Sequence, residues 1–176
     1  MAVILGIDPG SRICGYGLIN AIGNKLEFVA CGCIKVADLD FPERLQTIYE
    51  GISEIVERYH PQAVAVEEVF MGKNAASALK LGQARGAAIV ACTSHALEVS
   101  EYSARKVKQA LVGSGNADKL QVQHMISAIL TLSSRPQEDA ADALAVAVCH
   151  AHTSSSLIRM AGVRASRKGR LVGNGK

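Results

Sequence analysis

Tryptophan is absent from this chain of 176 residues, which has only three Phe and four Tyr. Large aromatic side chains therefore cannot build its core. Ala and Val must fill much of it, which suits closely packed layers of helix and sheet. Cysteine occurs five times, an odd number, with no Cys-x-x-Cys pair. Cys31 and Cys33 would share one face of a strand, and His150 and His152 add no complete ligand set. The pattern argues against a zinc or dithiol redox site and for small buried thiols in a reducing cytoplasm. No apolar run approaches the ~18 residues of a membrane span, so no membrane association is expected. The first apolar run is interrupted by Asp8 and has no cationic flank, so it reads as a strand and not as a leader.

Acidic residues are missing from 153–176, which hold Arg159, Arg164, Arg167, Lys168, Arg170 and Lys176. The remaining chain has 13 cations against 16 acids, so the net charge of +3 hides a basic tail on an acidic body. Such a tail either meets phosphate or simply keeps the chain soluble. We expect one domain over residues 1–152 and a flexible tail over 153–176.

What is present begins with Val3-Ile4-Leu5-Gly6-Ile7-Asp8-Pro9-Gly10-Ser11. The apolar, β-favouring run reads as a strand covered on both faces. Pro9 holds Asp8 extended, and Gly10 permits a sharp turn. One carboxylate thus stands at the rim of a central strand. Cys14 to Ala21 reads as a second strand, where Gly15 and Gly17 signal a bulge or close backbone approach. Leu26 to Val36 follows Gly23-Asn24 as a third strand.

Asp40 and Pro42 open a helix that His60-Pro61 stops. Ala63 to Val69 reads as a fourth strand and Leu97 to Tyr102 as a short fifth. Between them, Asn74 caps a helix reaching about His95. Ser103 caps a helix to Val112, Gly113 to Asn116 breaks it, and Asp118 caps the next. Gln137 to His152 is the last helix. The order is that of an α/β fold, a mixed five-stranded sheet with helices on its faces.

Acids recur inside apolar segments. Glu67 and Glu68 interrupt Ala-Val-Ala-Val-Glu-Glu-Val-Phe, on opposite faces of a strand. Asp139 and Asp142 share a helix face with Ala143 and Val146. Taken singly, Asp8 is a turn residue, Glu68 a solvated one and Asp139 a first-turn acid that suits the helix dipole. Taken together they form a cluster that must take up protons or bind a cation. Like charges about 4 Å apart repel by roughly 4 kcal/mol per pair at an effective dielectric near 20. Oxygen ligands without His or Cys suit Mg²⁺, or Mn²⁺ in its place. Periodicity alone does not choose between Glu67 and Glu68.

These segments resemble the RuvC family of bacterial Holliday junction resolvases, which have the RNase H-like fold. The matching stretches are Gly6-Ile7-Asp8-Pro9-Gly10-Ser11-Arg12 with Gly15-Tyr16-Gly17, and Glu67-Glu68-Val69-Phe70-Met71 with Lys73-Asn74. They continue through Ser77-Ala78-Leu79-Lys80-Leu81-Gly82-Gln83-Ala84-Arg85-Gly86, Val107-Lys108-Gln109, Gln121-Val122-Gln123-His124-Met125 and Asp139-Ala140-Ala141-Asp142-Ala143-Leu144-Ala145. The likeness covers roughly residues 2–152; the tail matches loosely.

The resemblance implies an Mg²⁺-dependent endonuclease in the bacterial cytoplasm that makes paired symmetric nicks in four-way DNA junctions during recombination and repair. It implies metal-binding catalytic acids at Asp8, Glu67, Asp139 and Asp142, and so selects Glu67 over Glu68. It implies DNA contacts by Phe70, Lys73, Lys108 and Lys119, and work beside the branch-migration proteins RuvA and RuvB. It also implies a homodimer, since two strands related by a two-fold axis need two sites. The helix carrying Ala78, Gly82 and Gly86, four apart, is the expected interface, although such a stripe also suits packing on its own sheet.

Ile7-Asp8-Pro9-Gly10 taken alone also fits an actin-like ATPase or sugar kinase. The chain is too short for the two lobes of those proteins and has no later Gly-rich adenosine loop. A junction-binding protein without chemistry and an RNA-directed nuclease are the other readings, the first opposed by the presence of all four acids.

Overall fold

The computed structural model describes residues 2–69, 74–160, 165–167 and 170–172. Phe70 and Lys73 therefore lie outside the described residues. The elements are β1 (Ala2–Asp8), β2 (Ile13–Ile22), β3 (Lys25–Lys35), α1 (Phe41–Tyr59), β4 (Ala63–Glu67), α2 (Ala75–Ser94), β5 (Val99–Tyr102), α3 (Ala104–Val112), α4 (Lys119–Ile129), α5 (Glu138–Met160), β6 (Ala165–Arg167) and β7 (Arg170–Val172).

The main sheet has five strands in the order β3-β2-β1-β4-β5. The first three form an antiparallel meander, and β1-β4 and β4-β5 are parallel. This is the expected mixed sheet. Alternation along each central strand divides the core between two faces. Leu5, Ile7, Leu18, Val64 and Val66 meet α1 and α2. Ile4, Ile19 and Ala65 meet α5, with α3 and α4 behind it. Burying one Leu or Ile of this kind contributes about 1.5–3 kcal/mol.

The caps follow the sequence. Asn74, Ser103 and Asp118 accept from the backbone N–H groups of Ser77, Lys106 and Gln121, which satisfies donors orphaned at each helix start. The Asp40 N–H donates to Glu43 Oε2 at 3.3 Å. His60 ends α1 in the left-handed conformation, at φ 47°, and Pro61 prevents continuation.

Several boundaries differ from expectation. The fourth strand ends at Glu67, and the fifth begins at Val99. The last helix does not stop at His152 but runs to Met160. After Pro136 the sequence has no Gly or Pro until Gly162, so nothing near His152 supplies a stop signal. The first eight residues assigned to the tail, 153–160, are thus helical, and β6 and β7 pair as a short antiparallel ribbon.

Glycines set how close α5 lies to the sheet. A Cβ on Gly6 would sit 2.1 Å from the Ala143 carbonyl oxygen. One on Gly15 would sit 2.1 Å from that of Asp139, and one on Gly17 2.7 Å from the Leu144 nitrogen. Gly6 faces Gly17 across the ladder, and Gly15 faces Asp8. The helix backbone rests directly on these positions, so Gly15 and Gly17 mark close approach.

Candidate metal-binding active site

Asp8 is the last residue of β1 and Glu67 the last of β4. The parallel pairing ends at Ile7 and Val66, so the two acids stand one step beyond, on neighbouring central strands. Ala65 packs towards α5 and Val66 towards α1 and α2. Alternation then turns Glu67 to the α5 face and Glu68 to the other. Gly6, pressed on α5, sets Asp8 on the same face by the same rule.

The first turn of α5 carries Asp139, and the next turn Asp142. The Gly15 contact holds Asp139 against β2 beside Asp8. Asp8 feels the other three acids. Burial, then the charges of Glu67, Asp142 and Asp139, push it up to about 8, with Lys119 opposing. Burial and Asp142 push Glu67 up to about 7, opposed by a hydrogen bond with Asp8 and by Lys119 and Lys108. Burial raises Asp142 as well, again against Lys119. The cluster therefore lowers its repulsion by holding protons.

Two lysines face the cluster. Lys119, the first residue of α4, pairs with Glu138 and lies 3.8 Å from Asp142 Oδ2. Lys108, on α3, acts electrostatically on Glu67 and Asp142. Ala78, Gly82 and Gly86 lie apart from this site on α2. A Cβ at Gly82 or Gly86 would meet nothing within 4 Å. The helix packs inward through Ala84, Ala88, Ala91 and Cys92 instead, so the small-residue stripe does not rest on its own sheet.

Two arginines that sequence reasoning gave no role support the site. Arg44 of α1 donates to three carbonyls, Ser11 at 3.0 Å, Ala37 at 2.7 Å and Leu39 at 2.8 Å. It fastens the turn that follows Asp8. Arg85 of α2 donates from Nε to the Glu67 carbonyl at 3.3 Å and pairs with Glu101. No periodicity marks either residue, because their partners are backbone carbonyls and a carboxylate distant in sequence.

Among the described residues, no three acidic, histidine or cysteine side chains already form a metal-ligand group. The donor chemistry nonetheless fits a hard divalent cation. Asp8, Glu67, Asp139 and Asp142 offer carboxylate oxygens, and burial makes charge costly at Asp8, Glu67 and Asp142. No described helix is long and apolar enough to cross a membrane.

Known proteins resemble this chain in sequence and in fold. Residues 4–150 match the family model described as crossover junction endodeoxyribonuclease RuvC. Relatives of that name from Photobacterium profundum and Teredinibacter turnerae are 60% and 61% identical, aligned over 97% and 98% of this chain and 99% and 100% of theirs. A solved structure of Thermus thermophilus RuvC in complex with a Holliday junction substrate is 36% identical with a TM-score of 0.84, covering 89% of this chain and 96% of that one. The yeast mitochondrial Holliday junction resolvase Ydc2 shares the fold at 12% identity and a TM-score of 0.67, over 89% of this chain and 80% of that one. With the RNase H-like sheet, the gathered acids and these matches in place, the chain belongs to the RuvC family of crossover junction endodeoxyribonucleases.

Proposed function

We propose that this chain is a crossover junction endodeoxyribonuclease that resolves four-way DNA junctions by paired symmetric nicks in recombination and repair. The observation that carries the reading is the juxtaposition of Asp8 and Glu67 beneath the first two turns of α5, in an environment that resists their charge. The family membership agrees with it.

Asp8, Glu67, Asp139 and Asp142 would hold Mg²⁺, or Mn²⁺ in its place. A divalent cation in such a site supplies an activated water and charge stabilisation for a leaving oxygen. The chain's own residues do the rest. The acids must give up their protons before they ligate. The α5 backbone, seated on Gly6 and Gly15, fixes the two aspartates relative to the strand ends. Lys108 and Lys119 offset the negative potential of the cluster and are the described residues to which we assign contact with DNA phosphate. Phe70 and Lys73, which follow β4 in the sequence, would contact the junction itself, with Phe70 stacking on a base.

The active form would be a homodimer built through α2. Leu79 is 69% exposed and Val90 53% exposed on that helix, and Gly82 and Gly86 lie between them with open space above. A dimer presents two sites related by a two-fold axis, as two like strands of a junction require. A monomer mass in sedimentation at micromolar protein would remove this part of the reading. RuvA and RuvB as partners, and the bacterial cytoplasm as the setting, follow from the family alone.

The deciding experiment is cleavage of a synthetic four-way junction with each strand end-labelled in turn, run with Mg²⁺, with EDTA and with Asp8→Asn. Symmetric, ligatable nicks that need both Mg²⁺ and Asp8 are expected. Junction binding without cutting would favour a non-catalytic binding protein.

A further inference from the structure

We infer that Arg85 is a positioning residue for Glu67, and that it ties the end of β4 to α2. The inference rests on the nuclease reading above and extends it to a residue outside the acid cluster. Arg85 sits on α2, one residue after the buried Ala84, and its side chain is only 19% exposed. Its guanidinium makes two directed contacts on the face of the sheet opposite α5. Nε donates to the Glu67 carbonyl at 3.3 Å, and Nη2 pairs with Glu101 of β5.

The two partners lie on adjacent parallel strands, where Glu67 is in register with Tyr102 and Val66 with Glu101. Past that pair the strands hold by one further bond, from the Glu68 N–H to the Tyr102 carbonyl at 2.9 Å. That bond holds the N–H side of the peptide after Glu67 and Arg85 holds its carbonyl side, so the two together fix the end of β4. A planar fork with two donors at fixed angles suits that task, and a single ammonium cannot reproduce it. Arg85 also lines a cavity of about 220 Å³ with Glu68, Val69 and Glu101.

The Glu67 carboxylate hangs from the Cα that precedes this peptide, so a strand end that shifts as a unit carries the carboxylate with it. Loss of the grip on the Glu67 carbonyl should therefore misplace the carboxylate in the acid cluster while leaving the DNA-facing lysines untouched. A misplacement of about 1 Å in a reacting arrangement lowers rate by roughly a hundredfold.

The test uses the full-length protein and three variants, Arg85→Gln, Arg85→Lys and Glu101→Gln. Three quantities are measured: single-turnover cleavage of a four-way junction in Mg²⁺, junction affinity in EDTA, and Mn²⁺ affinity of the protein without DNA. Arg85→Gln is expected to lower the cleavage rate about a hundredfold and to weaken Mn²⁺ binding, with junction affinity changed less than about twofold. Glu101→Gln keeps the bond to the Glu67 carbonyl and should lose much less. If Arg85→Gln does not fold, Arg85→Lys takes its place, keeping the charge near Glu101 but not the fork, and should show the same split between cleavage and affinity. Cleavage and Mn²⁺ binding equal to those of the unmodified protein would overturn the inference. So would an equal fall in affinity and rate, which is the pattern of general structural damage. An unmodified protein that cuts no junction would fail the nuclease reading itself, and the metal affinities would still decide whether Arg85 sets the position of Glu67.

Discussion

Asp8 and Glu67 stand at the ends of adjacent parallel strands, one step past the Ile7–Val66 pair, and their side chains share a hydrogen bond. Two carboxyl groups so arranged can share a proton, and the site keeps them buried enough to need one. The pair, and the helix packed above it, should govern how this protein responds to pH, cations and substitution.

Stability should fall as pH rises in the absence of a divalent cation. Asp8 is raised from 3.8 to about 8, and Glu67 from 4.5 to about 7. The folded state thus binds protons that the unfolded chain has released, so stability declines from about pH 4 to about pH 8. Asp8→Asn removes one such charge. In EDTA at pH 8 it should melt higher than the unmodified protein, by roughly 2–4 °C for each kcal/mol relieved. Near pH 4 the difference should vanish. A lower melting temperature for the variant at pH 8 would count against the buried cluster.

Cation binding should expel protons. At pH 6 both Asp8 and Glu67 are largely protonated if they titrate at about 8 and about 7. Titrating Mg²⁺ into the protein in buffers of different ionisation enthalpy should give heats that depend on the buffer. The dependence should shrink above pH 9, where the carboxyls are already ionised. Heats independent of buffer at pH 6 would show that the acids bind without losing protons.

Gly15→Ala should uncouple α5 from the strands. Its Cβ would lie 2.1 Å from the Asp139 carbonyl oxygen, so the start of the helix must move. Overpacking of this kind costs about 1–3 kcal/mol. The shift falls on Asp139 itself, so cleavage should fall further than the change in melting temperature accounts for. Gly82→Ala, where the space is open, meets no such clash and should raise the melting temperature, since Ala is favoured over Gly inside a helix by about 1 kcal/mol.

Lys119→Ala should act on both pH dependence and salt dependence. Lys119 opposes the upward shifts of Asp8, Glu67 and Asp142. Without it these carboxyls hold their protons to higher pH, and the acid limb of the pH–rate profile should move upward. If the residue also meets a phosphate, the slope of log affinity against log salt should fall by about one. An unmoved acid limb together with an unmoved slope would leave Lys119 as a solvated surface lysine paired with Glu138.

The amino-acid sequence by itself determined much of this protein. Apolar periodicity and capping residues specify the order of the main strands and helices, because those signals are local. The acids embedded in apolar segments mark a candidate cation site by their charge and their apolar neighbours, and Asp139 and Asp142 share a face because helical spacing requires it. The motifs point to the family, which chooses Glu67 over Glu68. Only the tertiary structure shows that Glu67 and not Glu68 turns to α5, since the face a strand turns there depends on what packs on it. It also decided that Gly15 and Gly17 serve close approach, that the outer stripe of α2 does not rest on the sheet, and that the last helix continues to Met160. The roles of Arg44 and Arg85 lie beyond sequence patterns for the same reason. Their partners are chiefly backbone carbonyls, which every residue carries and no spacing reveals until the chain has folded.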